Sequence, residues 1–128
     1  VTSLDTNLVV RFLLRDIPDQ AAAAIRLLDE SQCYITDVVI TEVIFVLEKI
    51  YGSTRDDIGA TIKGLIARQN LICNRGLIDD VLDLYIERTS LSIIDCYAAM
   101  EAMAFGNDLA TFDKGLLKHG GKHVVEPK

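Results

Sequence analysis

The strongest constraint on the fold is an alternation of two hydrophobic periods along the chain. Short runs rich in apolar and β-branched residues, at 2–5, 33–36, 70–73, 109–111 and 123–125, predict strands. Between them stand longer segments with helical spacing, at 7–15, 17–30, 38–51, 55–68, 77–89 and 93–105, with a short one after Asp113. Strand followed by helix, over and over, is the pattern of an α/β fold with a parallel sheet and helices on both faces. No repeat, low-complexity stretch or break in composition divides the 128 residues, so one domain over 1–128 is expected.

In such a sheet, ligands bind beyond the carboxyl ends of the strands. The stretch "TSLDTN" puts Asp5 at that edge, with Asn7 beside it at the head of an almost wholly apolar helix. Asp113, in "LATFDKG", follows the fourth strand candidate and is expected at the same rim. Glu42 interrupts "TDVVITEVIFVLEK", a helix apolar nearly all round and therefore expected to be buried; a carboxylate in its middle must face a partner or a cavity. Asp95 opens "SLSIIDCYAAM", where the same-face residues Ala99 and Ala102 let the helix lie close to the sheet.

Each acid also has a structural reading. Asp5 and Asp113 stand where helix caps stand, and Ser92 with Asp95 has the spacing of a capping box. Glu42 lies too deep in its helix to cap, and its structural alternative is an ion pair with Arg11.

Charge narrows the function. Thirteen Lys and Arg against nineteen Asp and Glu give a net charge of -6, the wrong sign for holding nucleic acid by bulk charge. A polyanionic substrate would need a local reversal of sign, and bound metal provides one. Cys33, Cys73 and Cys96 are widely spaced in apolar surroundings, which suggests neither a disulfide framework nor a zinc site. Without a membrane-length apolar run or a signal-peptide pattern, the chain reads as soluble and cytoplasmic.

The blocks "LDTNLVVRFLLRD", "TEVIFVLEKIYG", "SIIDCYAAMEAMAFG" and "LATFDKGL", in that order over nearly the whole chain, resemble a PIN-domain ribonuclease, and most of all the VapC-type toxins of bacterial toxin-antitoxin pairs. The resemblance implies a three-layer α/β/α fold with a central parallel sheet of about five strands. It implies Asp5, Glu42, Asp95 and Asp113 as the catalytic, metal-binding acids, with Asn7 supporting them. It further implies Mg2+ or Mn2+ as cofactor, cleavage of single-stranded RNA to 5'-phosphate and 3'-hydroxyl ends, a homodimer, and an antitoxin partner whose C-terminal segment lies between helices with an arginine at the acids. The chemistry agrees: hard cations take carboxylate oxygens, activate water and neutralise phosphate charge without a side-chain nucleophile.

Arg11 shares a stripe with Asn7 and Arg15 and stands as a phosphate contact, a partner of Glu42 or part of a solvated face. Thr111 is placed to hydrogen-bond one of the carboxylates. Lys114 reads as solvated, His119 and His123 as non-catalytic, Met100 and Met103 as helical core. Two other functions fit the pattern less well. A receiver-type phosphoacceptor domain would need paired acids after the first strand and an acceptor Asp where "LICNRG" has Asn74. A non-catalytic PIN-like module binding RNA or protein would not need all four acids.

Overall fold

A computed structural model describes all residues, 1–128, as two compact units, 1–75 and 76–128. In the first unit the order is β1 (Thr2–Ser3), α1 (Thr6–Leu14), α2 (Pro18–Glu30), β2 (Cys33–Tyr34), α3 (Asp37–Lys49), α4 (Arg55–Ile66) and β3 (Leu71–Ile72). The second contains α5 (Arg75–Glu87, its first residue closing the first unit), α6 (Ile93–Ala104), β4 (Leu109–Ala110), α7 (Lys114–His119) and β5 (Val124–Val125). No helix is long and apolar enough to cross a membrane.

Every predicted strand forms, but not as one five-stranded sheet. β1, β2 and β3 make a parallel ladder in that order, and β4 pairs with β5 in a separate parallel ladder. Each strand is two residues long, and the ladders gain one further bond at their carboxyl ends, from Leu4 N to Tyr34 O, Ile35 N to Ile72 O and Thr111 N to Val125 O. The chain turns into helix before more pairs can form. Nor are both faces of the three-stranded ladder covered as expected: Cys33 and Leu71 are buried, whereas Ser3, Tyr34 and Ile72 in the next register are exposed.

Helix starts follow from local chemistry. Asp5, Thr36, Thr54, Ser92 and Asp113 each accept a hydrogen bond from a first-turn backbone N–H of α1, α3, α4, α6 and α7. Such a bond satisfies a donor that the helix itself cannot pair. α1 ends with Arg15 in the left-handed region, its N–H bonded to Arg11 O, and Pro18 restarts the chain at the first turn of α2. The carboxyl end of α2 is held from the α4–β3 turn: the Asn70 side-chain amide donates to Leu28 O and Ser31 O, and Arg68 donates to Asp29.

α3 corrects the expectation of a helix buried all round. Ile40, Thr41, Val43, Ile44 and Leu47 are buried, but Val38, Glu42, Phe45 and Lys49, three or four residues apart, form an open stripe. The sequence is apolar on both faces, and only one of them is covered. Met100 is half-buried and Met103 exposed, so the methionines of α6 are not the core expected of them; Cys96 and Ala99 fill that place. Cys33 and Cys96 are buried free thiols, and burial raises the Cys33 pKa, keeping it protonated and inert.

The two faces of α3 give a direct test. Ile44→Ala, at a position 1% exposed, is expected to cost about 2–5 kcal/mol in urea unfolding. Phe45→Ala, at 49%, should stay within about 0.5 kcal/mol of the parent. Equal losses would mean that the open stripe is closed in solution.

Candidate functional site

Asp5 leaves β1 in extended conformation and caps α1, Oδ1 accepting from Leu8 N at 2.9 Å. The bond fixes the carboxylate at the carboxyl edge of the three-stranded ladder and leaves Oδ2 without a hydrogen bond. The capping role and the position at the rim are thus both present in one side chain. Asn7 is exposed on the same turn of helix.

Glu42 is exposed on the open stripe of α3, not buried, and forms no ion pair with Arg11. Arg11 is engaged elsewhere. Its Nη1 donates to both oxygens of Asp16, at 2.9 and 2.8 Å, and Nη2 donates to the Tyr51 hydroxyl at 3.0 Å. The αL turn at Arg15 carries the chain back so that Asp16 reaches it. The side chain is only 11% exposed, and its Nε is buried without a partner. The Tyr51 bond above all raises the Arg11 pKa; burial opposes, and Asp16 supports the charged form. Arg11 is therefore a neutralised structural cation, which leaves it poorly placed to add positive charge for a phosphate.

These residues surround an open cavity of about 570 Å³ between α1 and α3. Its lining combines the polar side chains of Asp5, Thr6, Asn7, Arg11 and Glu42 with Val10, Val39, Val46, Ile50 and Tyr51. A second hollow, about 330 Å³, lies on the α2 side of α1 and again includes Asp5, Asn7 and Arg11, with Gln20, Ala23, Ala24 and Leu27. The N-terminal half of α1 is thus a ridge between two recesses, with Asp5 at its head. Sequence reasoning missed Asp16 and Tyr51: one depends on a turn conformation, and the other lies 40 residues from Arg11 with no motif to link them.

In the second unit Asp95 sits half-buried in the first turn of α6, its N–H donating to Ser92 Oγ at 3.1 Å. The Ser92 half of the capping box is in place. Asp113 caps α7 through Oδ1, which accepts from Leu116 N at 2.8 Å. Thr111 does not bond a carboxylate: its Oγ1 accepts from the backbone N–H of Asp113 at 2.9 Å, so it shapes the turn and not the acid. His123 has structural work, with Nε2 2.6 Å from Ala99 O, tying the β5 end to α6. Lys114 is exposed.

No group of three or more His, Cys, Asp or Glu stands gathered for a metal ion. Asp5, Glu42 and Asn7 nonetheless bring oxygen donors to the lining of one open cavity, a partial set that suits a hard divalent cation retaining several waters. A zinc-like closed site is not what these residues could make, since no Cys or His lines the cavity.

No curated protein and no solved structure matches this chain. The profile of the PIN domain family matches residues 3–122. PIN domains are commonly nucleases and typically use divalent metals. Because that match runs from β1 to the residues just before β5 and takes in the acid at the head of α1, the acid of α3 and those opening α6 and α7, the chain belongs to the PIN domain family.

Proposed function

We propose that this protein is a metal-dependent endoribonuclease that cuts single-stranded RNA, and that it serves as the toxin of a toxin-antitoxin pair. The observation that carries the nuclease reading is that Asp5 and Glu42 line one cavity, in a chain of the PIN family. Asp5 holds one oxygen in its cap and offers the other; Glu42, free of hydrogen bonds, offers both. With Asn7 they would hold Mg2+ or Mn2+. Asp95 and Asp113, at the heads of α6 and α7 and inside the family match, are the further candidate acids of this reading. A cation held by these residues would supply Lewis acidity toward the phosphodiester and positive charge against the departing 3' oxygen.

The chain's own residues do the positioning. The Leu8 N–H holds the Asp5 carboxylate in one orientation, so its free oxygen is preorganised. The Arg11–Asp16 pair contributes no net charge to the cavity, which leaves the carboxylates to repel bare phosphate. RNA binding is therefore conditional on cation, in keeping with the net charge of -6. The toxin role is supported by the exposed apolar side chains of α3 and its end, Val38, Phe45 and Ile50, which suit burial against an antitoxin.

The competing reading is a PIN module that binds without cutting. The caps favour it, since Asp5 and Asp113 have structural work whether or not metal binds. Two measurements separate the readings. Asp5→Asn keeps an oxygen for the cap and should melt close to the parent, whereas Asp5→Ala should lose about 1 kcal/mol. If Asp5 is also a ligand, manganese will stabilise the parent and fail to stabilise Asp5→Asn; equal stabilisation of the two removes Asp5 from the metal site.

Cleavage is the second measurement. Total cellular RNA incubated with manganese should acquire discrete new 5' ends, and EDTA should abolish them. Glu42→Gln, at an exposed position, should fold as the parent does and lose roughly 100-fold or more in rate, the scale of removing a group that stabilises transition-state charge. Undiminished cleavage in EDTA would rule out the metal mechanism.

A further inference from the structure

The cavity between α1 and α3 is lined by two carboxylates, Asp5 and Glu42, together with apolar side chains and the aromatic Tyr51. A ligand that fits such a recess carries a phosphate or cation-bound group and also a weakly polar body. At about 570 Å³ the cavity falls in the range of small-ligand sites.

Tyr51 is held as a platform would be. Its backbone N–H bonds Val46 O at 3.3 Å, and the following residues turn back on α3, with Gly52 in the left-handed region at φ 68° and Ser53 N bonded to Leu47 O at 3.0 Å. At the far end of the ring the hydroxyl accepts from Arg11 Nη2, and Arg11 is itself clamped by Asp16. The ring is thus fixed at both ends while the residue remains 45% exposed. A hydroxyl can accept and donate at once, so the Tyr51 hydrogen remains to be offered to a ligand. A tethered, half-open aromatic is more than core packing requires, because an uncommitted surface tyrosine would need neither the guanidinium nor the ion pair behind it.

We propose that Tyr51 is the stacking platform of a nucleobase subsite, receiving a base of single-stranded RNA adjacent to the phosphate cut at Asp5 and Glu42. This rests on the nuclease reading above and names the part of the substrate that the same cavity recognises. Stacking suits the chemistry because every base presents a π-face, so the subsite grips single strands without demanding one sequence. A paired base cannot enter, which makes Tyr51 a selector of unpaired RNA. Arg11 and Asp16 are positioning residues that act through the ring.

The test uses the full chain and single-stranded oligoribonucleotides spanning a mapped cut, with 2-aminopurine or an abasic residue at each position in turn. In calcium, the parent and Tyr51→Phe should quench 2-aminopurine at one position beside the cut, and Tyr51→Ala should not. In manganese, Tyr51→Ala should raise KM about tenfold with kcat little changed, the expected size for one stacked base. An abasic residue at that position should raise the parent's KM by the same factor and leave Tyr51→Ala indifferent, the signature of a coupled pair. Asp16→Asn should lie between parent and Tyr51→Ala.

A parent that cleaves RNA while Tyr51→Ala keeps its KM and its quenching overturns the subsite and leaves the nuclease standing; the ring then serves a protein contact or the fold. A parent that neither binds these RNAs in calcium nor cuts them in manganese overturns both.

Discussion

With strands only two residues long, the bonds that fix where β1, β2 and β4 stop and α1, α3 and α7 begin are the side-chain caps. A ladder of that length supplies few hydrogen bonds of its own, and at the carboxyl edge the chain must turn with the first N–H groups of the next helix unpaired. Asp5 after β1, Thr36 after β2 and Asp113 after β4 each satisfy one. A carboxylate that caps a helix is also held at the edge where ligands of parallel sheets bind, with its second oxygen pointing elsewhere. At Asp5 the cap therefore takes one oxygen and leaves the other for the proposed cation.

Much of the architecture was legible because period and caps agree. Each strand and helix candidate has its counterpart, with ends shifted by a residue or two: the Asp5 cap explains why α1 begins at Thr6, and Pro18 why α2 does not include Ile17. The arrangement of strands was not legible, since pairing partners depend on contacts far apart in sequence and apolar alternation carries no address. The burial of α3 was misread for a related reason. A helix with apolar residues all round announces that both faces want cover, but not whether this chain supplies it. Here Val38 and Phe45 flank Glu42 in the open, so a carboxylate read as an expensive buried charge turns out to need no compensation.

Of the candidate acids, Asp5 and Glu42 line one cavity between α1 and α3, while the contacts around them were less legible. Arg11 shows the limit. Helical spacing correctly put it on the stripe of Asn7, yet its partner was settled by the left-handed residue Arg15 and by a tyrosine beyond the end of α3. Neither has a sequence signature that separates it from an ordinary helix end.

The engagement of Arg11 matters more for function than the net charge does. At physiological ionic strength, charges farther apart than about 8 Å are largely screened from one another, so a phosphate entering the cavity responds chiefly to the groups lining it. Were Arg11 free, the wall would carry one cation against Asp5 and Glu42, and RNA could be drawn in without metal. Asp16 cancels that cation at 2.8 Å and turns it to holding Tyr51. What remains is a cavity lined by two carboxylates, apolar side chains and Tyr51. On the nuclease reading proposed above, a phosphodiester would be repelled from such a cavity until a divalent ion sits at the carboxylates. The ion pair would then act twice, by withholding a cation from the phosphate and by fixing the ring offered to a base.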